Sequence, residues 1–446
     1  METQSANVEE TKSMRPFFII WFGQIFSLVG SQVVQFALPW WLTLRAAETT
    51  DNPATVLALA TLVAMLPQAL LSPVAGALVD RLSRRKVMIY ADGATALASL
   101  GLALLYWTGA AEIWHVFVVM FIRGVGGSFH WPAMQASISL MVPEKHFSRV
   151  AGLNSALSGA LNVVGPGLGA LLLEQLHEMQ WVMMVDVGTA LIAILPLLFV
   201  TIPQPVRTDT NGDDGGAKSS VWADLRAGLR YTREMPGLLS IMVMAMIINF
   251  LSVPAFSMMP LLVKTHFLGG APQYAASEAA WGAGVLVGGL LLGVWGGFRR
   301  KVFTSLSGLM LMGIGVTAIA FVPSDKFALV VVFTLLAGAM NPIVNGPLHA
   351  LLQSVVTPEM QGRVFTLTLS LSILITPLSL AVAGPVADLI GVRALYLVGG
   401  LSFLIAGGVA MFVPSIANVE ENNARPANSD AHAPALATAG AVLEAD

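Results

Sequence analysis

Cysteine is absent from this 446-residue chain, which excludes disulfides, thiolate metal sites and cysteine nucleophiles. Charge is scarce: only 11% of residues are Asp, Glu, Lys or Arg, where a soluble domain carries roughly 25%. A net charge of -3 offers no basic face for nucleic acid. Catalytic signatures are missing too. There is no G-x-x-x-x-G-K-[ST], no H-E-x-x-H and no G-x-S-x-G, and the seven histidines are scattered. Neither an enzyme nor a bound cofactor or metal is expected.

Apolar residues, 56% of the chain, take the place of charge. Water would penalise that much exposed hydrocarbon, whereas a bilayer asks for about 20 apolar residues per spanning helix. Runs of that kind fall at 17–44, 54–79, 87–108, 113–141, 150–173 and 181–201, then at 237–263, 273–298, 302–322, 327–355, 364–390 and 393–414. Merging any adjacent pair would bury a charge in lipid, so twelve spans are expected. The first run is too long for a signal-peptide core and is read as a span. Of the 23 Lys and Arg residues, 18 fall in loops or tails on the side of the N-terminus, 4 on the opposite side, and Arg123 alone inside a span. The positive-inside rule then places both termini in the cytoplasm.

The chain repeats itself. Arg84-Arg-Lys-Val87 returns at Arg299-Arg-Lys-Val302, 215 residues later, and Pro39, Pro132 and Pro143-Glu144 return at Pro254, Pro347 and Pro358-Glu359. The period is far longer than the roughly 20–50 residues of a solenoid unit. It predicts two six-helix bundles related by an axis along the membrane normal. The expected organisation is a tail at 1–15, a bundle at 16–201, a linker at 202–236, a second bundle at 237–414 and a disordered tail at 415–446. Within the linker, Trp222, Leu225 and Leu229 form one helical stripe and Arg226, Arg230 and Arg233 another. That pattern fits either a helix lying on the membrane surface or a solvated linker helix.

Four groups of residues carry candidate chemistry. After span 2 the chain reads Gly76-Ala-Leu-Val-Asp80-Arg81-Leu-Ser-Arg84-Arg85-Lys86. Gly76 permits close helix approach, and Asp80 sits at a helix C-terminus, where a carboxylate opposes the macrodipole unless it is paired. A latch that makes and breaks salt bridges suits these residues. The matching loop of the second half keeps its glycines and basic run but has Trp295 opposite Asp80. Arg123 lies about 15 Å into span 4 and needs an anion or a wet cavity. The carboxylates available are Asp92, Asp186, Glu278 and Asp388, each near a span end, with Asp186 and Glu278 favoured for coupling. Burial raises a carboxyl's proton affinity and a nearby arginine lowers it, so a group balanced between the two can load and release protons. Asp92 could equally pair with the adjacent basic loop. In span 5, Gly165, Pro166 and Gly169 combine a loosened helix with small faces for packing against the other half.

Several of these stretches resemble known motifs. The loop after span 2 is similar to the G-x-x-x-D-R-x-G-R-R signature of the major facilitator superfamily, with Ser83 in place of the second glycine. Arg123-Gly-Val-Gly-Gly127 resembles the fourth-span motif of its proton-driven exporters, and Gly165-Pro166-Gly-Leu-Gly169 resembles their G-P-x-x-G antiporter motif. Stretches 21–31, 80–92, 121–133, 185–188, 362–365 and 387–392 look like the macrolide-efflux branch, which is similar to enterobactin exporters. The resemblance covers about residues 15–414.

It implies a major facilitator fold in a bacterial inner membrane and a monomer that exchanges protons for amphipathic antibiotics. Exporters of siderophores or other metabolites are the runner-up, and a non-transporting sensor or assembly partner is an alternative of another class. It also implies that spans 1, 4, 7 and 10 line the path. Polar groups on those spans are Gln24, Gln32, Gln35, His130, Gln135, Asn249, Asn341, Asn345 and His349, with Trp40, Phe129 and Trp131 among their bulky neighbours. Such a wall suits large, neutral or weakly cationic ligands better than sugars or phosphates.

Overall fold

The computed structural model describes residues 14–202 and 221–423. Every regular element among them is helical, as expected where a backbone must satisfy its own hydrogen bonds in hydrocarbon. Twelve helices are long and apolar enough to cross a membrane. The first six are α1 (Met14–Thr49), α2 (Pro53–Arg81), α3 (Arg84–Trp107), α4 (Ile113–Met141), α5 (Phe147–Leu176) and α6 (Met179–Phe199). After a linker helix, α7 (Val221–Glu234), come α8 (Leu238–Ser257), the short α9 (Met259–Thr265), α10 (Ala271–Trp295), α11 (Lys301–Phe321), α12 (Phe327–Val355), α13 (Pro358–Ile390) and α14 (Val392–Phe412). Two short helices, α15 (Pro414–Ala417) and α16 (Val419–Asn422), follow.

The span expected at 237–263 is broken into α8 and α9 at Met258. Pro260 has no N–H to lose at the start of a helix and is preset for that position, so it restarts the chain where a continuous helix would leave a gap.

Packing repeats with the sequence. In the first half, α1 packs on α5 and α6, α4 on α2 and α3, and α3 on α6; in the second, α8 packs on α13 and α14, α12 on α10 and α11, and α11 on α14. Each contact has its counterpart in the other half. Between halves the main contacts are α5 with α10 and α2 with α13, a pair that the two-fold exchanges.

The halves touch at the end remote from the termini. There the Asp388 carboxylate, at the end of α13, accepts hydrogen bonds from the backbone N–H groups of Ala54 and Thr55 at 2.9 Å each and from the Thr55 hydroxyl at 2.6 Å. A carboxylate thus caps the first turn of α2, where free N–H groups and the helix dipole attract an anion. Tyr274 of α10 stacks on Phe36 and Trp40 of α1, with ring centroids 4.7 and 5.9 Å apart.

Two expectations for the connecting segments change. Residues 415–423, placed in a disordered tail, are ordered up to Asn423. Ile416 and Val419 are buried, Arg300 bonds Asn418 and Glu421, and the Lys301 N–H donates to Glu420. Charge complementarity with the second basic loop outweighs the polar composition. The linker helix lies against α13: Thr232 is buried, Tyr231 accepts the Thr357 N–H at 3.1 Å, and Arg226, Arg230 and Leu229 face outward. The Trp222 and Leu225 side chains, like residues 1–13, 203–220 and 424–446, lie outside the described residues.

Candidate functional site

Antiparallel α3 and α4 set two polar layers inside the first half. Asp92 and Ser99 on α3 are seven residues apart, as are Arg123 and His130 on α4. Two turns separate the members of each pair, about 10 Å along the axis. Ser99 therefore faces Arg123, and Asp92 faces His130.

The layer nearer the remote end joins three helices. Arg123 reaches Asp186 of α6 at 2.5 Å and Ser99 at 3.1 Å, and the Ser99 hydroxyl donates to the same Asp186 carboxylate at 2.6 Å. Asp186 is 3% exposed, so the expectation of a residue near a helix end gives way to a buried partner of Arg123. The physical reason lies in helix geometry. Arg123 starts about 15 Å and Asp186 about 10 Å from the remote ends of their helices. Side chains lean toward the helix N-terminus, which carries the long arginine stem up to the carboxylate.

The second layer lies nearer the termini. The Gln24 amide of α1 donates to Asp92 at 3.1 Å, His130 approaches Asp92 at 3.4 Å, and the His130 ring meets the Gln24 oxygen at 3.0 Å. Asp92 faces this cluster rather than the basic loop beside it. Gln24 and His130, expected on the substrate wall, are spent on a carboxylate. A buried acid with polar partners at hand is the cheaper arrangement.

The remaining expected residues divide. Asn249, Asn341 and Asn345 do line a cavity of about 430 Å³, and that cavity belongs to the second half. Glu278 of α10 lines it too, together with Phe256, Trp281 and Phe403. Gln32 donates to Asn162 at 3.3 Å, Gln35 is exposed, Phe129 packs on the core cluster around Phe17 and Met88, and His349 is exposed beside Phe365. Trp131 is 56% exposed.

Both glycine motifs act differently from expectation. A Cβ on Gly165 would meet Gln32 at 3.0 Å, and one on Gly169 would meet the Phe36 ring at 2.7 Å. These glycines seat α5, loosened at Pro166, on α1 of their own half, not on the other half. The inter-half seam runs instead through Gly159 beside Leu286 and Gly282 beside Asn162. A Cβ on Gly76 would touch nothing within 4 Å, so no close helix approach depends on this glycine among the described residues.

Of the latch residues, Arg85 donates to the Leu197 carbonyl and to that of Leu198 at 2.5 Å, which caps the C-terminus of α6. Arg84 is buried and Arg81 exposed. The Asp80 side chain lies outside the described residues.

Sequence reasoning missed Ser99, the pairing of His130 with Asp92, and the cap that Asp388 gives α2. The seven-residue spacings were the available signal for the first two.

Twelve spans in two exchanged bundles, with polar layers buried inside them, define a secondary transporter of the membrane, not an enzyme. The chain belongs to the Major Facilitator Superfamily, whose family model matches residues 20–375. Macrolide efflux protein A of Streptococcus pyogenes is 31% identical over 405 residues, covering 91% of this chain and 96% of that protein. The multidrug efflux pump Tap of Mycolicibacterium fortuitum is 26% identical over 420 residues, covering 91% and 97%. The fold matches a bacterial homolog of the human lysosomal transporter Spinster, solved inward-facing and unoccupied. The TM-score is 0.68 at 14% identity, over 92% of this chain and 99% of that one.

Proposed function

We propose that this protein is a proton-coupled efflux transporter for bulky amphipathic antibiotics of macrolide type. It works as a monomer by alternating access in a bacterial inner membrane, with both termini in the cytoplasm. The buried Arg123–Asp186–Ser99 cluster carries this reading. A buried ion pair contributes little net stability compared with apolar packing, so its presence points to a task. A proton on Asp186 removes the counter-ion of Arg123. The arginine must then find water or another anion, and the contact between α4 and α6 changes. Asp92 with His130 and Gln24 stands about 10 Å closer to the termini, in line as a second station for the same proton. Similarity to macrolide efflux protein A and to Tap supports the direction and the class of substrate.

Arg123→Ala tests the reading. The variant should insert at the wild-type level and lose efflux driven by a proton gradient in everted vesicles. A drug-susceptibility panel in an efflux-deficient host supplies the substrate. If wild-type protein changes no susceptibility and builds no gradient in vesicles, the efflux reading fails.

A further inference from the structure

The cavity of the second half holds one ionisable group. Its wall contains Glu278 and no Lys, Arg or His. Ion pairs such as Arg123–Asp186, His130–Asp92, Arg230–Glu234 and Arg300–Glu421 lie elsewhere, and no basic side chain pairs with Glu278 among the described residues. Glu278 sits seven residues into α10, about 10 Å from its start. A lone carboxylate at that depth is costly in the absence of a positive partner.

The wall also carries two buried hydroxyls, Ser305 Oγ and Thr334 Oγ1, with no hydrogen-bond partner among the described residues. Their residues are 6% and 4% exposed. Buried polar groups are nearly always paired, so these two await what fills the cavity. Trp281 follows Glu278 by three residues, and its ring lies 4.9 Å from that of Phe256. Aromatic faces beside a carboxylate favour a cation that also carries apolar bulk. Met244, Met259 and Met312 add soft surface able to fit ligands of different outline. The volume, about 430 Å³, falls in the range of roughly 300–1,000 Å³ for drug-sized ligands.

We propose that this cavity binds amphipathic monocations, one ammonium- or phosphonium-type charge on a bulky apolar body, and that Glu278 is the counter-ion that selects for the charge. The inference rests on the efflux reading and narrows its substrate class. An anion would face an uncompensated Glu278. A sugar would find too few donors, and a neutral apolar body would leave the carboxylate unpaired.

The test uses full-length protein in lipid nanodiscs and equilibrium dialysis with two probes of similar shape. Tetraphenylphosphonium carries a permanent positive charge and triphenylphosphine oxide carries none. Wild-type protein should bind the cation more tightly than the oxide. Glu278→Gln should weaken the cation by about tenfold or more, the loss of one charge-assisted contact of about 1.4 kcal/mol. It should leave the oxide within about twofold, which also reports an intact fold. Should Glu278→Gln fail to fold, Glu278→Asp takes its place: the preference for the cation must survive in it, and its loss overturns the proposal. Equal binding of the two probes by wild type, binding of neither, or unchanged cation binding in Glu278→Gln also overturns it. Everted vesicles separate the two readings. Export of tetraphenylphosphonium by wild type and equally by Glu278→Gln removes the counter-ion assignment and leaves the efflux reading standing. Absence of any driven export by wild type removes the efflux reading itself.

Discussion

Arg123 is the residue on which most of the chemistry turns. It touches Asp186 and Ser99 only because three helices bring positions 99, 123 and 186 to one depth. Removing one member of a buried pair strands the other, at a cost of about 3–5 kcal/mol, whereas removing both charges together is often close to neutral. We therefore expect Arg123→Gln alone to lower the melting temperature in detergent, and the double variant Arg123→Gln/Asp186→Asn to recover most of the loss. Proton-driven efflux should stay absent in both. A double variant with wild-type efflux would leave the pair a purely structural role. At this scale the sequence was half legible. A single arginine among twelve apolar runs announced itself by its cost, but its partner did not. Asp186 looked like a residue near a helix end because depth along one helix says nothing about which helix lies beside it. His130 looked like a ligand contact because neither Asp92 nor Gln24 is near it in the chain.

Elements were the most legible scale, since hydrocarbon leaves a backbone few options and run length alone marks a span. The expected span 113–141 matches Ile113–Met141, and 327–355 matches Phe327–Val355. Errors gathered where local chemistry competes with hydropathy. Pro260 split span 7, and the acidic residues Glu420 and Glu421 tied the start of the tail to Arg300 and Lys301. The glycine motif of α5 shows a further limit. Small residues say that something packs closely without saying what. Here the neighbour is Phe36 of α1, 2.7 Å from a Cβ placed on Gly169. Gly169→Val should thus overpack this seam and cost about 1–3 kcal/mol. Shrinking the neighbour in Gly169→Val/Phe36→Ala should return part of that stability, measured as thermal melting. No recovery would mean that the glycine acts through the flexibility of α5 around Pro166 and not through its seat on α1.

At the scale of the whole molecule, the two halves touch at the end remote from the termini. The repeat could predict two bundles and their axis, but not the side chains that join them. Hydropathy cannot register them: Asp388 sits on the first turn of α2, and Tyr274 stacks against Phe36 and Trp40. Loss of a capping side chain costs about 0.5–2 kcal/mol. When the contact exists in only one of two states, a value near 1.4 kcal/mol moves their ratio about tenfold. Asp388→Ala should shift the protein toward the state open at the remote end. The absence of native cysteine makes this measurable with single engineered thiols. Gly76→Cys, where an added Cβ meets nothing within 4 Å, should react quickly with a bulky maleimide in the parent protein. Ala58→Cys, 2% exposed against Gly384 of the other half, should react slowly. Adding Asp388→Ala should slow the first and speed the second, each by up to about tenfold. Opposite changes at the two ends are what alternating access requires of two rigid bundles. If both thiols speed up together, Asp388 holds the fold together and does not set the balance between its states.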